Sequence, residues 1–506
     1  MNADAGLPPL IGAMGNPAFY PHATRDIRLL ETHISWVILT GDFAYKIKKP
    51  VNFGFLDFTS LARRRHFCDQ ELLLNRRLAS EIYLEVLPIS SDGDAFMFGD
   101  TNICEYALMM RQFAQTDLLD RRLESGRFDP AWMDMLAIDI ATLHSSEQSS
   151  GANPDFGDPL ILRRHIEANL EVGARHIDVA IGRNSLAALR DYAERSLTSM
   201  QEPLSRRQSE GHIRCCHGDL HLRNITLLHD RPVAFDCIEF NDEYRMIDAM
   251  NDAAFLIMDC DARGHPELGL RFLSRYLEQT GDYAGLALLP LYLCYRAGVR
   301  GKVACLLGEE MPATEAEEQW REARHYFELA TRYTQPAHPQ LFAIGGLSGS
   351  GKSHLALEAL QHERAVIIRS DATRKRIAAG LKQDELYSDA MHRHTYQAML
   401  EAADTALQGG WSVILDATFL HPGSREDVRR LARQRQAELH FYWLDIPEDV
   451  LRRRVNAREK LGRDVSDANL AVLEQQLASC EKPQEDDIHF LDDSSRWPDK
   501  TPQPDA

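Results

Sequence analysis

The sequence predicts two domains in tandem, one α+β and one α/β. A small sheet with one helix leads into a larger helical part, and a parallel sheet covered by helices follows. Three observations predict this. Short apolar runs near the N-terminus are spaced as hairpin strands. From about residue 116 the pattern becomes helical, broken near 211–240. From 341 apolar runs alternate with helical stretches, which is the mark of parallel strands joined by crossover helices.

Taken in order, residues 1–24 are expected to be a frayed N-terminus, since they are rich in Gly and Pro. Runs at 34–39 and 43–48 flank Thr40-Gly41-Asp42 and read as a β-hairpin. Residues 60–80 carry helix formers behind a Ser cap, and strand-like runs follow at 83–89 and 105–110. Helical stretches cover 130–200 and 243–332, with strands at 224–228 and 232–235 between them. Pro336 and Pro339 resist helix and sheet alike, so 333–340 reads as a linker. Apolar runs at 341–345, 366–369, 411–415 and 440–444 are the strands of the second sheet. The expected domains are therefore 25–332 and 341–495, with a disordered tail at 496–506.

Composition bounds the function. The chain has 506 residues, 44% of them hydrophobic and 26% charged, enough for sizeable cores. A net charge of −19 argues against non-specific attraction to nucleic acid or anionic membrane. No apolar run reaches transmembrane length. The nine scattered cysteines include no C-x-x-C pair, and there is no signal-like N-terminus. This reads as reduced thiols in the cytoplasm.

Gly346-Leu347-Ser348-Gly349-Ser350-Gly351-Lys352-Ser353 fits G-x-x-x-x-G-K-[ST]. An apolar run precedes it and helix formers follow, the context that a phosphate-cradling loop needs. The glycines let backbone N–H groups curl around phosphate oxygens at a helix N-terminus. Lys352 is expected to reach the β- and γ-phosphates of ATP, and Ser353 to hold Mg²⁺. Asp416 ends the 411–415 run and is expected to assist Mg²⁺. Asp371 follows a strand, with Arg374 three residues on. By its position alone Asp371 reads as a helix N-cap. Arg454 and Arg458 share a face of a helix that starts near Pro447, with Arg463 just beyond it. By spacing alone they read as an exposed basic helix face.

A second constellation lies upstream. His217-Gly218-Asp219-Leu220-His221-Leu222-Arg223-Asn224 fits H-x-D-x-x-x-x-N, and Asp236 ends the strand that follows. Phosphoryl transfer needs a carboxylate for the acceptor hydroxyl and ligands for Mg²⁺. Asp219 fits the first role, Asn224 and Asp236 the second.

On these residues, 25–330 resembles the aminoglycoside phosphotransferase-like kinases. The resemblance implies a bilobal protein-kinase-like fold, with Lys46 as the nucleotide-binding lysine and Glu71 as its ion-pair partner. Lys48 lies on the same strand face as Lys46 by the period of two and competes for the role. Asp248 and Asp252 match structural acids of that family. Arg296 and Arg300, at i and i+4, are expected to pair with such acids. Residues 340–495 resemble polynucleotide-kinase-like and zeta-toxin-like P-loop kinases. That implies a P-loop NTPase sheet, Asp371 as general base, Arg374 as an anion clamp, and Arg454 and Arg458 as lid arginines.

The whole chain resembles the bacterial family described as bifunctional aminoglycoside phosphotransferase/ATP-binding proteins. The resemblance implies an ATP- and Mg²⁺-dependent phosphotransferase acting on a small-molecule hydroxyl acceptor. Two rival readings stand beside it. In one, the N-terminal half is a nucleotide-sensing pseudokinase, as the short turn at Gly41 suggests. In the other, the P-loop half is a polynucleotide 5′-hydroxyl kinase, against which the acidic charge counts. Oligomeric state is not written in the sequence.

Overall fold

The computed structural model describes residues 7–54, 56–93, 95–146, 156–378, 388–461 and 469–498; the side chains of 389, 458, 460 and 461 also lie outside the description. The chain divides into two compact units. The first runs to Leu256 and adds Tyr295–Ala330; the second joins Ile257–Cys294 to the residues from Thr331 onward. No described helix is long and apolar enough to cross a membrane, and all nine cysteines are free thiols.

The first unit carries an antiparallel sheet built from β1 (Arg28–Glu31), β2 (Ser35–Leu39), β3 (Phe43–Lys48), β4 (Tyr83–Asp92), β5 (Ala95–Phe98) and β6 (Ile103–Arg111). Its order is β1-β2-β3-β6-β4-β5. β2 and β3 form the expected hairpin, with Trp36 opposite Ile47 and Val37 opposite Lys46. Helix Leu61–Ala79 is capped by Ser60, whose side chain accepts the Arg63 amide, and it packs on β4 and β6. The helical part follows, interrupted by two small ladders. In one, β7 (Ile213–Cys215) pairs with β10 (Met246–Asp248); in the other, β8 (Ile225–Leu228) pairs with β9 (Arg231–Ala234).

The expected frayed segment 1–24 is corrected in part. Helix Pro9–Met14 docks on the sheet, where Ile11, Met14 and Tyr20 are buried with Ile38, Tyr45, Ile47 and Ile89. Burying such side chains contributes ~1.5–3 kcal/mol each, enough to order a short helix. The glycines and prolines around it had hidden this apolar stripe.

The second unit holds a fully parallel sheet of β11 (Gln340–Gly345), β12 (Ala365–Arg369), β13 (Ser412–Asp416), β14 (Glu438–Leu444) and β15 (Ile488–Leu491). The order is β12-β13-β11-β14-β15. Four strands were expected; the fifth, β15, is too short and too polar at its centre to read as an apolar run. Just after it, Trp497 is buried against Phe342 and Tyr442, so the core continues into the segment expected to be a disordered tail. Trp497→Ala is expected to destabilise this unit by ~3–5 kcal/mol, seen as a lower denaturant midpoint. A loss below ~1 kcal/mol would show that the ring is not part of the core. The second unit also takes in helix Pro266–Thr280, whose Leu268, Leu270, Phe272, Leu273, Tyr276 and Leu277 are buried. This helix packs on β12 and on helix Ser370–Ile377.

Candidate active sites

The first site forms where β3, helix Leu61–Ala79 and the loop after β7 converge. Lys46 Nζ donates to Glu71 Oε1 at 2.7 Å and to Asp236 Oδ1 at 2.8 Å. Lys48 Nζ donates to Glu71 Oε2 at 2.7 Å and to Glu239. Both lysines therefore reach Glu71, but only Lys46 also reaches the aspartate after β9. Lys48 is 1% exposed and sits over the Phe58 ring, 4.9 Å from its centroid. It is a buried counter-ion.

Glu71 is fully buried between the two ammonium groups. Burial alone would raise its pKa, but Lys46 and Lys48 outweigh that and hold it below the usual carboxylate range. The stability that Glu71 contributes is thus present above the ordinary glutamate pKa and is lost as pH falls through its lowered value. Glu71→Gln leaves two buried ammonium groups short of one charge. It is expected to cost ~3–5 kcal/mol at neutral pH, with the difference from wild type shrinking in acid. Denaturant titrations at pH 7 and pH 3 check both parts.

The loop from His217 to Asn224 is held from behind. Asp252 accepts the backbone N–H of His217 at 3.0 Å and of Gly218 at 2.8 Å, and His144 Nε2 lies 3.0 Å from it. Burial would raise the Asp252 pKa; the His144 contact outweighs it and brings it to about 2. Burial lowers the His217 pKa, against the pull of Asp252 and Asp219. Its Nε2 faces Phe235 O at 2.9 Å and its Nδ1 accepts the Asp219 amide at 3.3 Å, which is consistent with one tautomer. Gly218 has φ +87°, and a Cβ there would meet Tyr244 O at 2.8 Å, so only glycine fits.

Asp219 accepts from Asn224 Nδ2 at 2.9 Å and lies 3.4 Å from His221 Nε2. Burial pushes its pKa up, but His221, Arg300 and His217 more than offset this and keep the carboxyl well below the usual range. With its nitrogen given to Asp219, the Asn224 amide offers oxygen, the atom a hard cation takes. Asp236 stands at φ +63°, a left-handed conformation that costs a non-glycine residue ~1–2 kcal/mol. It turns the carboxylate toward Lys46, and Tyr83 Oη accepts its amide at 3.1 Å. An oxygen donor pair beside a lysine fits Mg²⁺ and phosphate.

The expectation of acid partners holds for Arg300, through Glu322, and is corrected for Arg296. Arg296 donates to Asn251 Oδ1 at 2.8 Å and to Gly218 O at 3.1 Å, and Arg300 donates to Glu322 at 3.1 Å. Asp248 is bonded by Arg207, while Asp252 accepts the loop amides and feels the Arg296 charge without a hydrogen bond from it. His221 and Gln112 were missed. Gln112 Oε1 accepts the amides of Thr40 and Gly41, fixing the hairpin turn.

The second site surrounds the loop between β11 and helix Lys352–Ala359. Gly346, Gly349 and Gly351 all have positive φ. At Gly346 a Cβ would meet Leu444 O at 2.9 Å, which is the cradle that a phosphate-binding loop requires. Lys352 Nζ donates to the carbonyls of Gly346 and Leu347, each at 2.9 Å. Ser353 Oγ donates to Asp416 Oδ2 at 2.6 Å. Burial raises the Asp416 pKa, against the pull of Lys352 and Ser353. The serine–aspartate pair is the oxygen donor set expected for Mg²⁺ in such a loop.

Asp371 sits in the first turn of helix Ser370–Ile377 and accepts from Arg374 at 2.6 Å. It is not the N-cap: Arg369 holds that position, with no side-chain cap bond. Arg454 bonds Asp493 and lines a cleft of about 470 Å³ with Gly349, Ser350, Gly351, His354 and Asp492. Helix Glu448–Leu461 starts at Glu448 with two acids in its first turn. The side chain of Arg458, and Arg463 as a whole, lie outside the described residues.

Residues 97–289 match the model described as phosphotransferase enzyme family, and residues 341–483 match the AAA domain model. The proteins named "Uncharacterized protein Rv2004c" of Mycobacterium tuberculosis and "Uncharacterized protein Mb2027c" of Mycobacterium bovis are 32% identical over 444 residues, 86% of either chain. Among solved structures, a choline/ethanolamine kinase family protein from Mesorhizobium loti aligns over 65% of this chain and 99% of its own, at 14% identity and TM-score 0.40. The APS kinase CysC of Mycobacterium tuberculosis aligns over 32% of this chain and 92% of its own, at 20% identity and TM-score 0.25.

Proposed function

The chain belongs to the family of these mycobacterial proteins, and from that premise we propose that it is an ATP-dependent phosphotransferase with two phosphoryl-transfer centres acting on hydroxyl groups of small molecules. The observation that carries the reading is Lys46, which contacts Glu71 and Asp236 at once, beside the Asp219–Asn224 pair. Those five side chains supply the charges that phosphoryl transfer demands. In the first centre Lys46 binds phosphate oxygens, and Glu71 holds the lysine in place. Asn224 and Asp236 would hold Mg²⁺, which neutralises phosphate charge when bound. Asp219, kept ionised and oriented by Asn224, accepts the hydroxyl proton of the acceptor.

In the second centre the P-loop amides and Lys352 bind the phosphates, while Ser353 and Asp416 would hold Mg²⁺. Asp371 is the base toward the acceptor, Arg374 orients it, and Arg454, with Arg458, neutralises developing charge. The nucleotide would occupy the cleft lined by Gly349 to Gly351.

A pseudokinase reading of the first half is favoured by one observation. The turn over its phosphate site is only Thr40-Gly41-Asp42, pinned by Gln112. Such a turn gives ATP phosphates few backbone donors. The polynucleotide reading of the second half has the net charge of −19 against it.

The deciding experiment follows labelled γ-phosphate from ATP to panels of sugars, aminoglycosides, nucleosides and oligonucleotides. It uses the full chain, the Lys352→Ala variant and the Asp219→Asn variant. Transfer to a small molecule that one of the variants removes supports the proposal and says which centre is responsible. Transfer only to oligonucleotide 5′-hydroxyls would support the polynucleotide reading. ATP binding without transfer to any hydroxyl would overturn the proposal.

A further inference from the structure

Helix Pro266–Thr280 lies within the stretch matched by the phosphotransferase model, yet it belongs to the compact unit that carries the P-loop. Polar contacts run from it along β12 in step. Ser274 Oγ accepts the Ile367 amide at 3.0 Å. One helical turn on, Glu278 clasps Arg369: its two carboxylate oxygens accept from Nε and from the second guanidinium nitrogen, each at 2.5 Å. Just past the helix, Gly281 (φ +71°) lies so near Arg376 that a Cβ would fall 2.5 Å from its guanidinium. The Tyr283 ring lies 6.0 Å from the same group.

Glu278 is buried, and Arg275 donates to it at 2.7 Å. Arg369 ends β12 in register with Asp416 on β13. The next residue opens helix Ser370–Ile377, which carries Asp371 and Arg374. That helix has no side-chain N-cap, so its first turn takes its direction from Arg369. A bidentate carboxylate–guanidinium pair is rigid in both distance and plane.

We propose that Glu278 is a positioning residue of the P-loop centre: by fixing Arg369 it sets where Asp371 stands relative to the phosphate loop. A helix from outside the P-loop sequence stretch thereby completes the acceptor side of the second site. The proposal rests on the reading of the P-loop half as a phosphotransferase.

The test uses the full chain with Asp219→Asn, which silences the first centre, and measures Mg²⁺-ATP hydrolysis with water as acceptor. Glu278→Ala is expected to lower kcat by about tenfold to a hundredfold, the scale of a ~1 Å misplacement. KM for ATP is expected to stay within about twofold, because the nucleotide side is untouched. Glu278→Gln keeps the shape but turns one accepting oxygen into an N–H donor facing arginine, and is expected to recover only part of the rate. Amide exchange of 370–377 is expected to quicken in Glu278→Ala while that of 346–353 stays as in the parent.

Unchanged kcat or unchanged exchange of 370–377 overturns the positioning role. So does a rise in KM that accounts for the whole loss, or a loss seen only where the variant has begun to melt. Turnover that is absent from the parent, or that Lys352→Ala leaves intact, overturns the underlying phosphotransferase reading and this proposal with it.

Discussion

Asp219→Asn is expected to cut hydroxyl phosphorylation by the first centre ~10²–10⁴-fold, the range for removing a general base, while Mg²⁺-ATP still binds. Asparagine fills the same space and can still meet Asn224, so the loop keeps its shape. What goes is a carboxylate held ionised by His221, Arg300 and His217. The metal-side residues Asn224 and Asp236 remain. Asp236→Asn is the contrasting change: it removes a carboxylate proposed to hold Mg²⁺, so Mg²⁺-ATP binding itself is expected to weaken. The paired measurement is calorimetric Mg²⁺-ATP binding and labelled phosphate transfer, in the full chain with Lys352 already changed to alanine. If Asp219→Asn is silent in transfer while Asp236→Asn alters binding, the first half is a nucleotide sensor. If wild-type protein in that background binds no Mg²⁺-ATP, both versions fail.

Lys352→Ala is expected to lower ATP turnover at the second centre ~10²–10³-fold, the scale of losing one preorganised charge-stabilising donor. The side chain donates to the loop carbonyls of Gly346 and Leu347. The melting temperature is measured beside turnover, so that a folding loss is told apart from a chemical one. Nucleotide binding at this centre is expected to fall with turnover, because Lys352 is the side chain expected to meet the β- and γ-phosphates. ATP hydrolysis in the Asp219→Asn background isolates this centre. Turnover equal to the parent would remove Lys352 from the chemistry.

Much of both sites was readable because each depends on fixed spacing inside one short segment. The P-loop and the stretch from His217 to Asn224 are of this kind. So is the hairpin, whose two strands share one turn. What could not be read depends on residues far apart in the chain. Lys46 and Lys48 are equivalent by strand period; Glu239, 191 residues from Lys48, is what separates them. Arg296 was expected to pair with an acid, because charge alone ranks acids first. A backbone carbonyl, Gly218 O, and the Asn251 amide take it instead. β1, β5 and β15 have four residues each, too few for periodicity to show. Glu278 was invisible for another reason: nothing in its own neighbourhood hints that its partner is Arg369.

Helix Pro266–Thr280 also bears on how the protein is made. Translation delivers it well before β12 and helix Ser370–Ile377, the elements on which it packs. At ~5–20 residues per second those elements leave the ribosome roughly ten seconds later. For that interval a greasy helix waits without its sheet, and the chain then departs through Leu289–Glu310 before returning. Over that interval the helix presents an exposed apolar face of the kind that chaperones bind.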